Sequence, residues 1–186
     1  VTGIFAQLQA EFDLTGLQVT SLPVIGYVLM GAGALPAGYF TDRFGPKPML
    51  TVYFASTALS CVAAALAPNA IAFAVALIFV GAAVSLYHPT GLAMMSHGFE
   101  NRGQAMGIHG IAGSFGLCGG AIAGLLANLW NWRLAYWVMA AVALASLVVL
   151  LIMPIALRDD PRKDAKVEQS TAEPRRAPTL LLVLLF

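Results

Sequence analysis

The chain is 186 residues long, 59% hydrophobic and only 10% charged, with a net charge of +1 and a mean hydropathy of +0.80. Soluble domains average about 25% charged residues, so this composition weighs against a soluble all-helical core and for a polypeptide that lives in lipid. A near-neutral total says nothing about partners, and the information lies in where the charges fall along the chain.

A helix needs about 20 apolar residues to cross the hydrocarbon layer, and the sequence supplies such runs repeatedly. Val1 to about Leu8 reads as the tail of a first helix, and Gln9 to Thr20, with Glu11 and Asp13, as a polar connection. Helix two is expected from roughly Ser21 to Phe40 and helix three from about Met49 to Ala67. The Ala67-Pro68-Asn69 turn leads into helix four, about Ala70 to Ser96, and helix five follows from about Gln104 to Ala127. After a turn spanning Asn128 to Arg133, helix six runs to about Leu157. Residues 158–178 are charged and contain prolines, the composition of a solvated linker, and 179–186 read as the start of a seventh helix. The chain begins on Val1 within an apolar stretch and ends within another, so it is expected to be a fragment cut inside helix one and helix seven. Cys61 and Cys118 lie inside apolar runs, with no spacing that suggests a metal site or a disulfide framework.

Nine of the ten lysines and arginines fall on connections of one side, among them Arg43, Lys47, Arg102 and the basic residues of 158–176, while Arg133 stands alone on the other. That asymmetry assigns the first side to the cytoplasm. Trp130, Trp132, Tyr136 and Trp137 gather at the outer end of helices five and six, where an aromatic belt belongs.

The most informative stretch is Gly38 to Pro48, which sets Asp42, Arg43, Gly45 and Lys47 between two long apolar runs. Gly38 permits close helix packing and Gly45 permits a turn with positive φ. Asp42 is able to accept hydrogen bonds from Arg43 or from backbone amides, and Pro46 and Pro48 stiffen the connection. Further along, Ser85-Leu86-Tyr87-His88-Pro89 puts an ionisable histidine and a helix-breaking proline inside a membrane helix, a default functional-site hypothesis. Pro89 frees the carbonyl of Ser85, and an imidazole near its neutral-pH transition is able to load and release a proton. His109, about one and a half turns from the cytoplasmic end of helix five, is expected at a depth similar to His88, whereas His97 sits at the interface. Helix five also carries a glycine ladder, in which Gly113, Gly116, Gly120 and Gly124 are expected to allow close backbone approach. The bland alternatives are a positive-inside turn for the loop and neutral, hydrogen-bonded packing histidines for the pair.

The spacing Gly-x-x-x-Asp-Arg-x-Gly at Gly38 to Gly45 resembles the signature loop between the second and third helices of the major facilitator superfamily. Glu100-Asn-Arg-Gly103 after helix four is a faint echo of it, as an inverted repeat of three helices implies. Three departures stand out: Pro46 replaces a customary base, Leu77 stands where proton-coupled members carry an arginine, and Ala121 and Leu125 replace a proline and a glycine in a segment similar to the fifth-helix motif of drug–proton antiporters. The Tyr-His-Pro segment is similar to the bacterial fosmidomycin-resistance-like efflux branch.

The resemblance implies an all-α membrane protein: a six-helix bundle forming the N-terminal half of a twelve-helix facilitator fold, with inverted 3+3 helix repeats. It divides the chain into a transmembrane bundle (1–157), a cytoplasmic linker (158–178) and the start of helix seven (179–186). It implies a secondary active transporter of a small solute, working by alternating access with proton-coupled efflux, in a bacterial inner membrane. Gly38, Asp42, Arg43, Gly45 and Lys47 would then form a gating loop, and Ser85, Tyr87, His88 and His109 a substrate or proton pathway. Its partners would be the small-molecule substrate, protons, the lipid bilayer and a C-terminal half of the same chain, with no nucleic acid, cofactor or metal. The competing class is a non-transporting, facilitator-like sensor or organising subunit. An enzyme has least support, since no nucleophile–base set or phosphate loop is present, and the glycine ladder lacks the strand-first context of a dinucleotide site.

Overall fold

The computed structural model describes residues 2–98, 101–116 and 118–152, and every element in them is an α-helix: α1 (Thr2–Phe12), α2 (Gly16–Ser21), α3 (Val24–Ala32), α4 (Ala34–Phe44), α5 (Pro46–Ala65), α6 (Ala70–Val84), α7 (Tyr87–Gly98), α8 (Arg102–Gly116), α9 (Cys118–Leu129) and α10 (Trp132–Ile152). The expected linker and the start of helix seven lie outside the described residues. Four stretches are long and apolar enough to cross a membrane: Pro46–Ala65, Ala70–Met95, Gly103–Leu129 and Trp132–Ile152. Ile4–Phe12 and Gly16–Ala32 pass the same test as a pair, but the chain bends by 118° between them. That bend returns the chain alongside itself, and α1 packs on α9 and α10 instead of continuing into α2. Many large apolar side chains stay exposed, Leu59, Ile71, Val142 and Ile152 among them, as lipid-facing residues of an integral membrane protein do.

Short polar residues set the helix starts. Thr15 accepts from the Gln18 amide while its own amide donates to Gln18 Oε1 (2.8 Å), a complete capping box for α2. Asn69, Asn101 and Asn131 do the same for α6, α8 and α10, with their side-chain oxygens accepting from Ala72, Gln104 and Leu134. Gly45 takes φ +83°, ψ 160°, which L side chains rarely adopt, and Pro46 then fills a first-turn position where its missing N–H is harmless.

The expected boundaries shift where side-chain chemistry intervenes. The polar connection expected over Gln9–Thr20 contracts to Asp13–Thr15, because Glu11 stays on α1 and is satisfied by Trp132 and Arg133 of α10. Helix two is three pieces, interrupted at Leu22–Pro23 and at Gly33, and it runs to Phe44 instead of Phe40. Helix four breaks at Ser85–Leu86, as expected for a chain whose Pro89 has no amide to return to Ser85.

Two contacts organise the bundle. Along the first, α3 and α4 run beside α6 and α7 in the same direction, through small residues. A Cβ built on Gly26 would lie 2.7 Å from the Leu77 carbonyl oxygen, and one built on Gly81 would collide with the Gly26 backbone. At Gly33 a Cβ would meet Ser85 Oγ at 2.5 Å and Ser85 Cβ at 2.7 Å. Lipid tails are as apolar as leucine, so helices associate by close packing, and backbone-to-backbone approach supplies it.

The second contact is a polar clasp at the end of the bundle where α1, α5, α9 and α10 meet. The Trp132 amide donates to Gln7 Oε1 (2.7 Å), its indole Nε1 donates to Glu11 Oε2 (2.7 Å), and Gln7 Nε2 donates to the Ala127 carbonyl (2.5 Å). Arg133 pairs with Glu11, donates from Nη1 to the carbonyls of Ala65 (2.8 Å) and Ala67 (3.0 Å), and lies 4.4 Å from the Trp132 ring centroid. It thereby closes the carboxyl end of α5, where a cation is favoured. Beneath it, Leu8, Val19, Phe73, Ala76, Ala127 and Trp132 form one buried cluster. A second cluster at the other end holds Leu50, Phe54, Met94, Met95 and Leu150.

Gly81→Val is expected to force α3 off α6 and to destabilise the bundle by about 1–3 kcal/mol or more. Gly31→Ala, where a Cβ meets nothing within 4 Å, is expected to be neutral; thermal unfolding in detergent followed by size-exclusion compares them. Arg133→Ala leaves the buried Ala65 and Ala67 carbonyls without a donor and is expected to cost about 1–3 kcal/mol. Glu11→Gln keeps an acceptor for the indole on a surface pair and is expected to cost under about 1 kcal/mol in the same assay.

Candidate functional site

The expected gating loop forms the last turn of α4 and the first turn of α5. Asp42 and Arg43 are exposed there. Arg43 donates from Nη1 to the Tyr39 hydroxyl (3.3 Å), and its guanidinium lies 5.8 Å from the Phe44 ring centroid. Asp42 therefore sits at the carboxyl end of a helix, not at a helix start, and the macrodipole there opposes an anion. Lys47 occupies the first turn of α5. Gly38 faces Pro89, but a Cβ on it would stay 3.9 Å from Pro89 Cβ, an ordinary contact. The closest approach on this seam belongs to Gly26 and Gly81 instead.

One residue before Asp42, Thr41 is buried. Its hydroxyl donates to the Ala37 carbonyl (2.8 Å) and shares a 2.7 Å hydrogen bond with the hydroxyl of Thr90 on α7. Thr90 is 0% exposed. Sequence reading passed over both threonines, because a Thr inside an apolar run gives no sign of its partner. The nearest signal was position: Thr41 adjoins the signature Asp42 and Thr90 follows Pro89.

The break at Ser85–Leu86 starts α7 at Tyr87, and this tyrosine is the hub of the expected pathway residues. Its ring centroid lies 5.2 Å from His88, 6.1 Å from His109 on α8 and 5.2 Å from Tyr53 on α5. His88 on α7 and His109 on α8 thus both lie near the ring of Tyr87. His88 is exposed; His109 is half-buried, and its Nδ1 is buried with no hydrogen-bond partner among the described residues. A neutral imidazole nitrogen in such a position is able to accept a hydrogen bond from a polar group. Ser85 does not join this group: it is buried against Gly33 and its hydroxyl donates to the Ala82 carbonyl (2.7 Å).

The expected glycine ladder divides. Gly124 is buried in α9, whereas Gly113, Gly116 and Gly120 are exposed, and a Cβ on any of these three would meet nothing within 4 Å. Among the described residues the close-approach role expected of those three belongs to Gly26, Gly33 and Gly81, because α9 reaches α1 and α10 through Gly124 and Ala127. Cys61 is buried as a packing residue, while Cys118 is exposed.

On the α6 side of the break lies a cavity of about 380 Å³, bounded by α1, α2, α3, α6, α9 and α10. Ile4, Leu8, Tyr27, Phe73, Tyr136 and Met139 are among its walls, which include no charged side chain. The size lies within the range of ligand pockets, about 300–1,000 Å³. Gly81 and Val84 line it just before the break, and Tyr87 and His88 follow just after, so cavity and histidine group flank the same interruption.

The chain is similar to several curated transport proteins. It is 31% identical over 160 residues to a triacylglyceride transporter of Mycolicibacterium hassiacum, covering 82% of this chain and 30% of that protein. It is 29% identical over 154 residues to the fosmidomycin resistance protein of Escherichia coli, covering 81% of this chain and 37% of that one. It is 28% identical over 166 residues to the major facilitator superfamily multidrug transporter mfsC of Aspergillus fumigatus, covering 87% and 32%. The chain thus spans about a third of the length of these relatives. The profile of the Major Facilitator Superfamily matches residues 1–186. With the helical bundle, the Asp42–Gly45 turn and the broken helix four in place, the chain belongs to the Major Facilitator Superfamily.

Proposed function

We propose that the protein of which this chain is a part is a secondary active transporter that moves a small lipophilic solute by alternating access, with efflux coupled to protons. The observation that carries the reading is the Tyr87–His88–His109 group placed at a helix break beside an apolar cavity. A broken membrane helix is tolerated where freed backbone groups line a cavity or are buried in protein, and transporters in general bind substrate at such interruptions. The walls of the cavity, with only the Tyr27 and Tyr136 hydroxyls among their polar side-chain groups, suit a solute without charge. The relatives named for multidrug, triacylglyceride and fosmidomycin phenotypes support transport of a small molecule, and they differ too widely to narrow it further.

The coupling follows from the cost of charge. A protonated imidazole within the membrane is expensive unless water or an acceptor attends it. His88 is exposed and His109 Nδ1 is buried near Tyr87, so the two imidazoles offer a proton acceptor and a hydrogen-bond acceptor close to one ring. Excluding water from the protonated form then favours release of the proton. The exposed glycines of α8 and α9 and the exposed Asp42 are read as surfaces that meet a second helical half, in which a cation or a helix amino end would offset the unfavourable position of the carboxylate.

His88→Ala and His109→Ala are expected to insert and fold normally but to lose pH-gradient-driven efflux of a neutral lipophilic dye such as Nile Red by about tenfold or more, measured on the full-length protein in proteoliposomes. Undiminished gradient-driven flux in both variants would sink the assignment. Absence of any flux from the wild type across a panel of lipophilic compounds would favour the non-transporting class.

A further inference from the structure

We infer that the buried Thr41–Thr90 hydrogen bond is the mechanical link between the Pro89 break in helix four and the Asp42–Gly45 loop, with both threonines acting as positioning residues. The inference deepens the transport reading and rests on it for the meaning of the loop. Its own evidence is geometric. The hydroxyls of Thr41 and Thr90 are 2.7 Å apart, and Thr90 is completely buried. Thr41 is also tied to its own helix through the Ala37 carbonyl (2.8 Å), so a displacement passed to its side chain is passed to the backbone of α4. Asp42 is the next residue, and the Gly45 amide donates back to the Thr41 carbonyl (2.9 Å), so the turn before α5 hangs from this one residue.

On the other side, Thr90 follows Pro89 directly and lies two residues beyond His88. Its amide reaches the Leu86 carbonyl in the break through a long 3.3 Å bond. The first turn of α7 is therefore a short lever, with the histidine on its exposed side and Thr90 on its buried side. Its neighbours along the seam transmit less: Gly38 touches Pro89 only at ordinary van der Waals distance, and Ser85 spends its hydroxyl on Ala82. Two threonine hydroxyls facing each other in an apolar interior leave few alternative partners, so the pair persists until one helix moves.

The test uses hydrogen–deuterium exchange on the full-length protein in lipid nanodiscs and needs no ligand. Pro89→Ala restores a backbone donor at the break and serves as the local disturbance. It is expected to change exchange of the peptide covering residues 38–50 by about threefold or more in the wild-type background, and by much less in a Thr41→Val background. Thr41→Ser, which keeps the hydroxyl, is expected to restore the response, and this separates the hydrogen bond from mere packing. An equal response with and without the Thr41 hydroxyl, or no response of the loop to Pro89→Ala at all, would overturn the inference. Because exchange is read without transport, the two readings fail separately: a loop that responds as expected while Thr41→Val transports at the full rate faults the gating role of the loop and leaves the link standing.

Discussion

In hydrocarbon, two helices gain nothing by hiding leucines from the solvent, since the solvent is itself apolar. What holds them is contact at short range, and here the shortest range is reached where Gly26 of α3 meets Leu77 and Gly81 of α6 backbone to backbone. Every other relation on this side of the bundle inherits its register from that crossing. With Gly26 against Gly81, Gly33 falls on Ser85, Gly38 on Pro89 and Thr41 on Thr90, in order along two parallel helices. Both helices are interrupted, at Pro23 and Gly33 on one and at Ser85–Leu86 on the other, so the seam follows a bent path that two straight helices could not share.

The two ends of the bundle are held differently. One end is closed by a polar clasp in which Arg133 and Trp132 engage α1 and the end of α5, over a buried aromatic cluster. Charged and neutral hydrogen bonds share partners there, so no single helix leaves without stranding donors or acceptors on several others. The opposite end has the exposed Asp42 and Arg43, the Met94–Met95 cluster and the Thr41–Thr90 pair. In the proposed cycle, motion belongs at this less tied end, and the broken first turn of α7 is where helix four yields most readily.

The parts most legible in the sequence were those governed by local rules. Apolar length gave the membrane spans, Pro89 foretold the break in helix four, and the Gly45–Pro46 pair foretold a turn that starts α5. The parts misjudged were those in which a polar residue found a distant partner. Glu11 read as the mark of a connection, yet it sits on α1 because Trp132 and Arg133 of α10 satisfy it. The helix-five glycines read as a ladder for close backbone approach; among the described residues Gly113, Gly116 and Gly120 meet nothing within 4 Å, and Gly26 and Gly81 make the tightest approach.

Composition, hydropathy and motif spacing by themselves determined that this is a helical membrane protein of the superfamily whose signature lies at Gly38–Gly45, because insertion into lipid depends on the sum of side-chain transfer energies along a segment and not on what the segment touches. They also singled out His88 and His109, since an ionisable group in an apolar run is conspicuous without any structure. Only the tertiary structure decided that His109 packs near Tyr87, that Arg133 spans Glu11 and the end of α5, and that Thr41 meets Thr90. Each of these depends on the rotation and offset of one helix against another. Those are set by which residues meet across the helices, in pairs up to 125 positions apart, a relation that no local pattern encodes.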